Sequence, residues 1–163
     1  MAFELVMVKE KGEGPASRGI SSRRALLLDY NNPPMPWSAR WEKEDVLKLV
    51  FPPDLQEAQY SIALKLVSFL SDKESVNGDE LAVWAQENGV PNSTLRNLVI
   101  PKMIRLGLLA RERVNPSGQE GRDKRHRMVL KLSKRFGEAM QHAGSEWSSL
   151  VETWRVKRRK GVD

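Results

Sequence analysis

From Pro53 onward the apolar positions of this chain fall into a helical rhythm. Leu55, Ala58, Ile62, Leu66, Phe69 and Leu70 share one stripe, and Asp54 with Glu57 three residues later has the spacing of a capping box, which predicts a first helix over about 54–71. Asn77 with Glu80 repeats that signature ahead of Leu81, Val83, Trp84 and Ala85, a short second helix that stops at Asn88-Gly89. After Val90-Pro91, the cluster Asn92-Ser93-Thr94 offers a start for a third helix carrying Leu95, Leu98, Val99, Met103, Ile104 and Leu106 and ending at Gly107. The pattern then changes to alternation. Leu108 to Val114 and Arg125 to Leu132 read as paired strands around the polar tip Asn115 to Lys124. Ser133 opens a last helix in which Phe136, Met140, Ala143, Trp147, Leu150, Val151 and Trp154 recur at four- and three-residue steps, with Gly144 as a place to break.

Before Pro53 the rhythm is absent. Phe3 to Val8 and Ala25 to Asp29 are short apolar runs with strand character, separated by the Gly- and Ser-rich stretch Lys9 to Arg24 and followed by Asn31-Asn32-Pro33-Pro34-Met35-Pro36-Trp37, an extended connector. Trp37 and Trp41 are expected to dock on the main domain. The expected organisation is an N-terminal extension over 1–52, a core domain over 53–132, and a C-terminal helix with a basic tail over 133–163. The fold class is mainly α with a small β-hairpin (α+β).

Composition narrows the chemistry. The chain has 163 residues, enough for one well-packed domain with extensions, and no apolar run approaches the length of a membrane span. Its first residues, with Glu4 early and no basic start, lack the character of a secretory signal, so a cytoplasmic location is the expectation, nucleoid-associated if the source is prokaryotic. Zero cysteines exclude disulfides, thiolate metal sites and thiol nucleophiles, and His126 and His142 are the only imidazoles. No cofactor or metal is expected, and no enzymatic activity: Asp79 and Glu80 are explained by capping and the helix dipole. The net charge of +6 is unevenly spread, for residues 51–90 hold 2 basic and 7 acidic side chains whereas residues 91–163 hold 17 and 7. A basic half beside an acidic one suits a surface that faces phosphate; a merely soluble basic surface is the plain alternative.

The order helix, helix, tight turn, helix, two-stranded hairpin resembles the winged helix-turn-helix superfamily. The words that carry the resemblance are Ser93-Thr94-Leu95 through Met103-Ile104-Arg105-Leu106-Gly107-Leu108-Leu109, followed by Arg111-Glu112-Arg113-Val114. About half the chain is covered. The resemblance implies a third helix, about 92–107, that enters a major groove, and a hairpin "wing" over 111–131 that lies on the backbone.

The residues themselves fit that role. Ser93, Thr94, Arg96 and Asn97 near the start of the third helix are suited to base edges, with Arg96 the foremost, whereas Asn92 is expected to cap. Lys102 and Arg105, farther along, suit phosphates. Pro101 inside this helix removes a backbone donor and disfavours helical geometry at Ile100, so a kink is expected there. Arg111, Arg113, Arg122, Lys124, Arg125 and Arg127 make the hairpin basic, and Lys157, Arg158 and Arg159 do the same for the tail. The expected partner is double-stranded DNA, bound by a transcription regulator, with a homodimer through the last helix and a protein partner through residues 1–52 as further expectations. A winged-helix adaptor in a replication or transcription machine and an RNA-binding protein are the alternative readings.

Overall fold

The computed structural model describes residues 25–114 and 127–161. These residues are mainly helical, with one small antiparallel sheet. The core does not begin at Pro53. Helix α1 (Lys43–Val50) precedes it, opened by the Asp45 Oδ2 that accepts the Glu42 N–H at 2.9 Å. Glu44 and Asp45 stand in its first turn and Lys48 in its last, as the helix dipole favours. Leu47, Val50 and Phe51 are buried in the common core, so the extension expected through residue 52 gives up its last part to the domain. Ala25 to Asp29 form no strand, although Leu27 N–H donates to the Leu49 carbonyl at 2.9 Å. Phe3 to Val8 and Lys9 to Arg24 lie outside the described residues, as does the hairpin tip.

Helix α2 (Pro53–Ser71) starts on two prolines, with Pro52 in the capping position and no side-chain cap, so the expected Asp54 box is not used. Gln56, at φ −139° and ψ 49°, interrupts the first turn. The interruption rotates the expected stripe: Leu55 is 53% exposed while Ile62, Ala63, Leu66 and Leu70 are buried. Tyr60 ties α2 to α1 by donating its hydroxyl to the Glu44 carbonyl at 3.3 Å. Strand β1 (Val76–Asn77), only two residues long, then leads into α3 (Gly78–Glu87). There the Asn77 Oδ1 accepts from the backbone N–H of Asp79 and Glu80 at 3.0 and 2.9 Å, and Glu80 returns the bond to Asn77 N–H, as the sequence predicts. Trp84 stacks on Phe69 of α2 at 5.0 Å.

The third helix is built from three pieces: α4 (Asn92–Thr94), a π-helical turn (Leu95–Val99) and α5 (Ile100–Leu106). The π turn answers the proline. Ile100 N–H reaches back five residues to the Leu95 carbonyl, directly before the residue that has no N–H to give. Ile100 keeps helical angles, φ −59° and ψ −48°, so the expected departure from helical geometry at this residue does not occur. Gly107 ends α5 at φ +85°, with Gly107 N–H bonded to the Ile104 carbonyl and Leu108 N–H to the Met103 carbonyl.

Strands β2 (Leu109–Val114) and β3 (Arg127–Leu132) pair antiparallel, Arg111 opposite Leu130 and Arg113 opposite Met128. Strand β1 adds on the far side of β3, Val76 opposite Leu130, giving the order β1-β3-β2. Leu109, Val76 and Leu130 carry the sheet onto the helices. Beyond it, α6 (Arg135–Lys160) runs 26 residues without a break at Gly144. Its start is pinned to the Gly107 corner, where Phe136 N–H donates to the Gly107 carbonyl at 3.0 Å. None of its residues is buried. No described helix is long and apolar enough to cross a membrane.

Trp37 and Trp41 are not docked on the core face. They stack on each other at 5.1 Å and Trp37 stacks on Tyr30 at 5.9 Å. Their indole N–H groups donate to the carbonyls of Tyr30 (from Trp37) and Pro36 (from Trp41). The result is a self-contained aromatic ladder on the surface.

Candidate nucleic-acid interface

The start of the third helix is the polar edge of a buried element. Leu95, Val99 and Ile100 point into the core, which leaves Asn92, Ser93, Arg96 and Asn97 exposed and Thr94 half-buried. Asn92 does not cap. Its Oδ1 accepts the Arg96 Nε–H at 2.8 Å, one helical turn away, and this bond steadies the base of the guanidinium.

Alternation along β2 sorts the hairpin cations. Glu112 lies on one face, engaged with Lys131 at 2.8 Å, while Arg111 and Arg113 lie on the other and are exposed. That other face is the one that meets the third helix. Arg96 and Arg111 line a single groove of about 260 Å³, whose floor is made by Leu81 and Ile100 and whose rim includes Asn77 and Met128. Two arginines, one from a helix and one from a strand 15 residues later in sequence, thus line one groove with an apolar floor. Guanidinium forks match the geometry of phosphate and carboxylate oxygens, and neither arginine is in a salt bridge among those found in the described residues.

Other expected residues are placed differently. Arg105 is exposed in the last turn of α5 and does not line the groove. Lys102, expected on phosphate, is 1% exposed, which removes it from any interface. Its Nζ donates to the Val50 carbonyl and lies 4.9 Å from the centre of the Phe51 ring. A lysine ammonium here closes the C-terminal end of α1, where the helix carbonyls lack partners and the dipole is negative. Burial pushes its amine down from 10.5 to about 8. Lys157, Arg158 and Arg159 are exposed on the last turn of α6, but at 1.5 Å per residue they stand roughly 30 Å from the Gly107 corner along the helix, so one chain does not bring them to the groove. Arg122, Lys124 and Arg125 lie outside the described residues; Arg127 is described by its backbone pairing with Val114.

Asn77 and Met128 are groove residues that sequence reasoning missed: Asn77 is read only as a cap, and Met128 reaches the groove through the pairing of β3 with β2, where it faces Arg113. No protein-family model, curated protein or solved structure matches this chain.

Proposed function

We propose that this chain is a double-stranded DNA-binding protein of winged helix-turn-helix type, a transcription regulator that does no chemistry on the DNA. The third helix lies in a major groove with Ser93, Thr94, Arg96 and Asn97 at base edges, and the basic hairpin follows the adjacent backbone. The observation that supports this best is the shared groove of Arg96 and Arg111, which couples a helix cation and a hairpin cation into one surface. The strand order β1-β3-β2 and the placement of the helices before it are compatible with that fold.

The test is fluorescence anisotropy on a random duplex of about 30 base pairs across a salt series, where six neutralised phosphates give a logarithmic salt slope of about −5. Arg96→Ala and the pair Arg111→Ala with Arg113→Ala are each expected to weaken binding, the strand pair also flattening the slope by roughly 2. Absence of binding at low salt, or binding indifferent to salt, would overturn the reading. One observation favours the adaptor reading instead: Tyr30, 75% exposed, caps an aromatic ladder suited to an extended peptide. Loss of DNA binding with retention of a protein complex through residues 25–41 would decide for it.

A further inference from the structure

The exposed seam of α6 has a spacing that asks for another helix. Phe136, Met140, Ala143, Trp147, Leu150 and Trp154 follow steps of four, three, four, three and four, which is an unbroken 3.5-residue repeat over almost three heptads. A stripe laid against a globular core drifts with the 3.6-residue turn. This one does not drift, and beyond the half-buried Phe136 its residues are exposed: Met140 44%, Trp147 61%, Leu150 46% and Trp154 44%. The two rings rest edge to face at 5.9 Å, holding each other out from the helix.

We infer that two copies of this chain pair through α6 as an antiparallel two-helix coiled coil, with Trp154 set opposite Ala143 of the second copy and Trp147 opposite Leu150. The inference does not depend on the DNA reading. Charge selects the direction. The helix ends in Arg155, Lys157, Arg158, Arg159 and Lys160, so a parallel pair sets five cations against five and places Lys157, the next seam position, against itself. In the antiparallel register the same tail runs beside residues 137–142, where Glu138 is the one formal charge. Shape agrees with charge. Gly137, Ala139, Ala143 and Gly144 make the first half of the helix narrow, so Trp154 meets a thin stretch of the second copy, while Trp147 packs beside the axis against Leu150. The indoles supply much of the area. At their observed exposures the two indoles offer about 250 Å² per chain, roughly a third of the ~1,600 Å² of a standard interface once both copies are counted, before Met140 and Leu150 are added.

Sedimentation velocity of the full chain without nucleic acid tests the pairing. A dimer is expected at micromolar concentration, and Trp147→Glu with Leu150→Glu should convert it to monomer while the unfolding transition of the core persists. A monomeric parent at tens of micromolar would overturn the inference, as would a dimer that survives the double change. The absence of native cysteine permits a clean test of direction. Ala143→Cys alone should resist oxidation to a covalent dimer, because antiparallel copies hold those thiols about 16 Å apart along the axis, whereas Ala143→Cys with Trp154→Cys should cross-link. Rapid cross-linking of Ala143→Cys alone would show a parallel pair and sink the proposed arrangement; a dimer in which the double variant fails to cross-link would sink the register.

Discussion

Helices α2 and α6 carry comparable apolar stripes and meet opposite fates. In α2, Ile62, Ala63, Leu66 and Leu70 are buried beneath the sheet and the third helix, while α6 has no buried residue in a longer run. The difference is one of partners among the described residues. Helix α2 is met by α1, the π turn and β3, whereas α6 is pinned at its start to the Gly107 corner and has no buried residue beyond it. Burial supplies the free energy of a helix in a protein, and a helix of 26 residues that receives none locally depends on its own caps and on what covers its seam.

The largest effect should separate the two helices directly. Leu66→Ala, at a fully buried position, is expected to cost about 3 kcal/mol of unfolding free energy in a denaturant titration. Leu150→Ala should cost less than about 0.5 kcal/mol in the same transition at concentrations where the chain is monomeric. Equal losses would mean that α6 is part of the core after all.

A change at the corner joining the two regions comes next. A Cβ on Gly107 would meet the Phe136 backbone nitrogen at 2.8 Å while φ stays at +85°. Gly107→Ala is therefore expected to lose about 2 kcal/mol and to loosen α6 from the sheet, read as faster amide exchange at Phe136. Unchanged exchange at Phe136 would show that the corner is not what holds α6.

The effect at Lys102 is the smallest per unit of the variable changed. Its amine titrates near 8 when folded and near 10.5 when unfolded, so between these values the unfolded chain binds more protons and stability rises with pH, by about 1 kcal/mol per unit. Below pH 8 the cost of holding the buried charge is fully present. Tyr60 acts the other way, since burial, Glu44 and Asp45 raise its hydroxyl above the usual phenol value and take stability away above pH 10. Urea titrations between pH 7 and pH 10 should show the rise in the parent and its loss in Lys102→Met. A rise that persists in the variant would assign the linkage elsewhere.

What could be read from the sequence followed the range of the interactions involved. The Asn77 and Glu80 box and the stops at Gly89 and Gly107 are local chemistry, complete within a few residues, and the structure has them. The start of α2 was read to within one residue, but its cap was not, because two prolines and the Gln56 interruption rather than an Asp54 box shape the first turn. Helix α1 has eight residues, too few to show a period, and is held by a lysine 52 positions away. Strand β1 has two, in which alternation has no meaning. Lys102 left a trace: it stands three residues after Val99 and seven after Leu95, on the buried stripe, where its charge made it look like a surface residue. At the groove, the residue types at Arg96 and Arg111 were legible, but their meeting was not, since it needs the register of β2 on β3.

The length of α6 also sets a distance. With the two copies arranged as inferred, the two-fold axis falls between residues 148 and 149, and at 1.5 Å per residue the two Gly107 corners stand about 38 Å apart along the pair. Successive major-groove faces on one side of B-DNA recur at about 34–36 Å. On the proposed DNA-binding reading, the helix would serve as a caliper: its residue count, rather than any contact with a base, would fix the spacing between half-sites that one dimer can span.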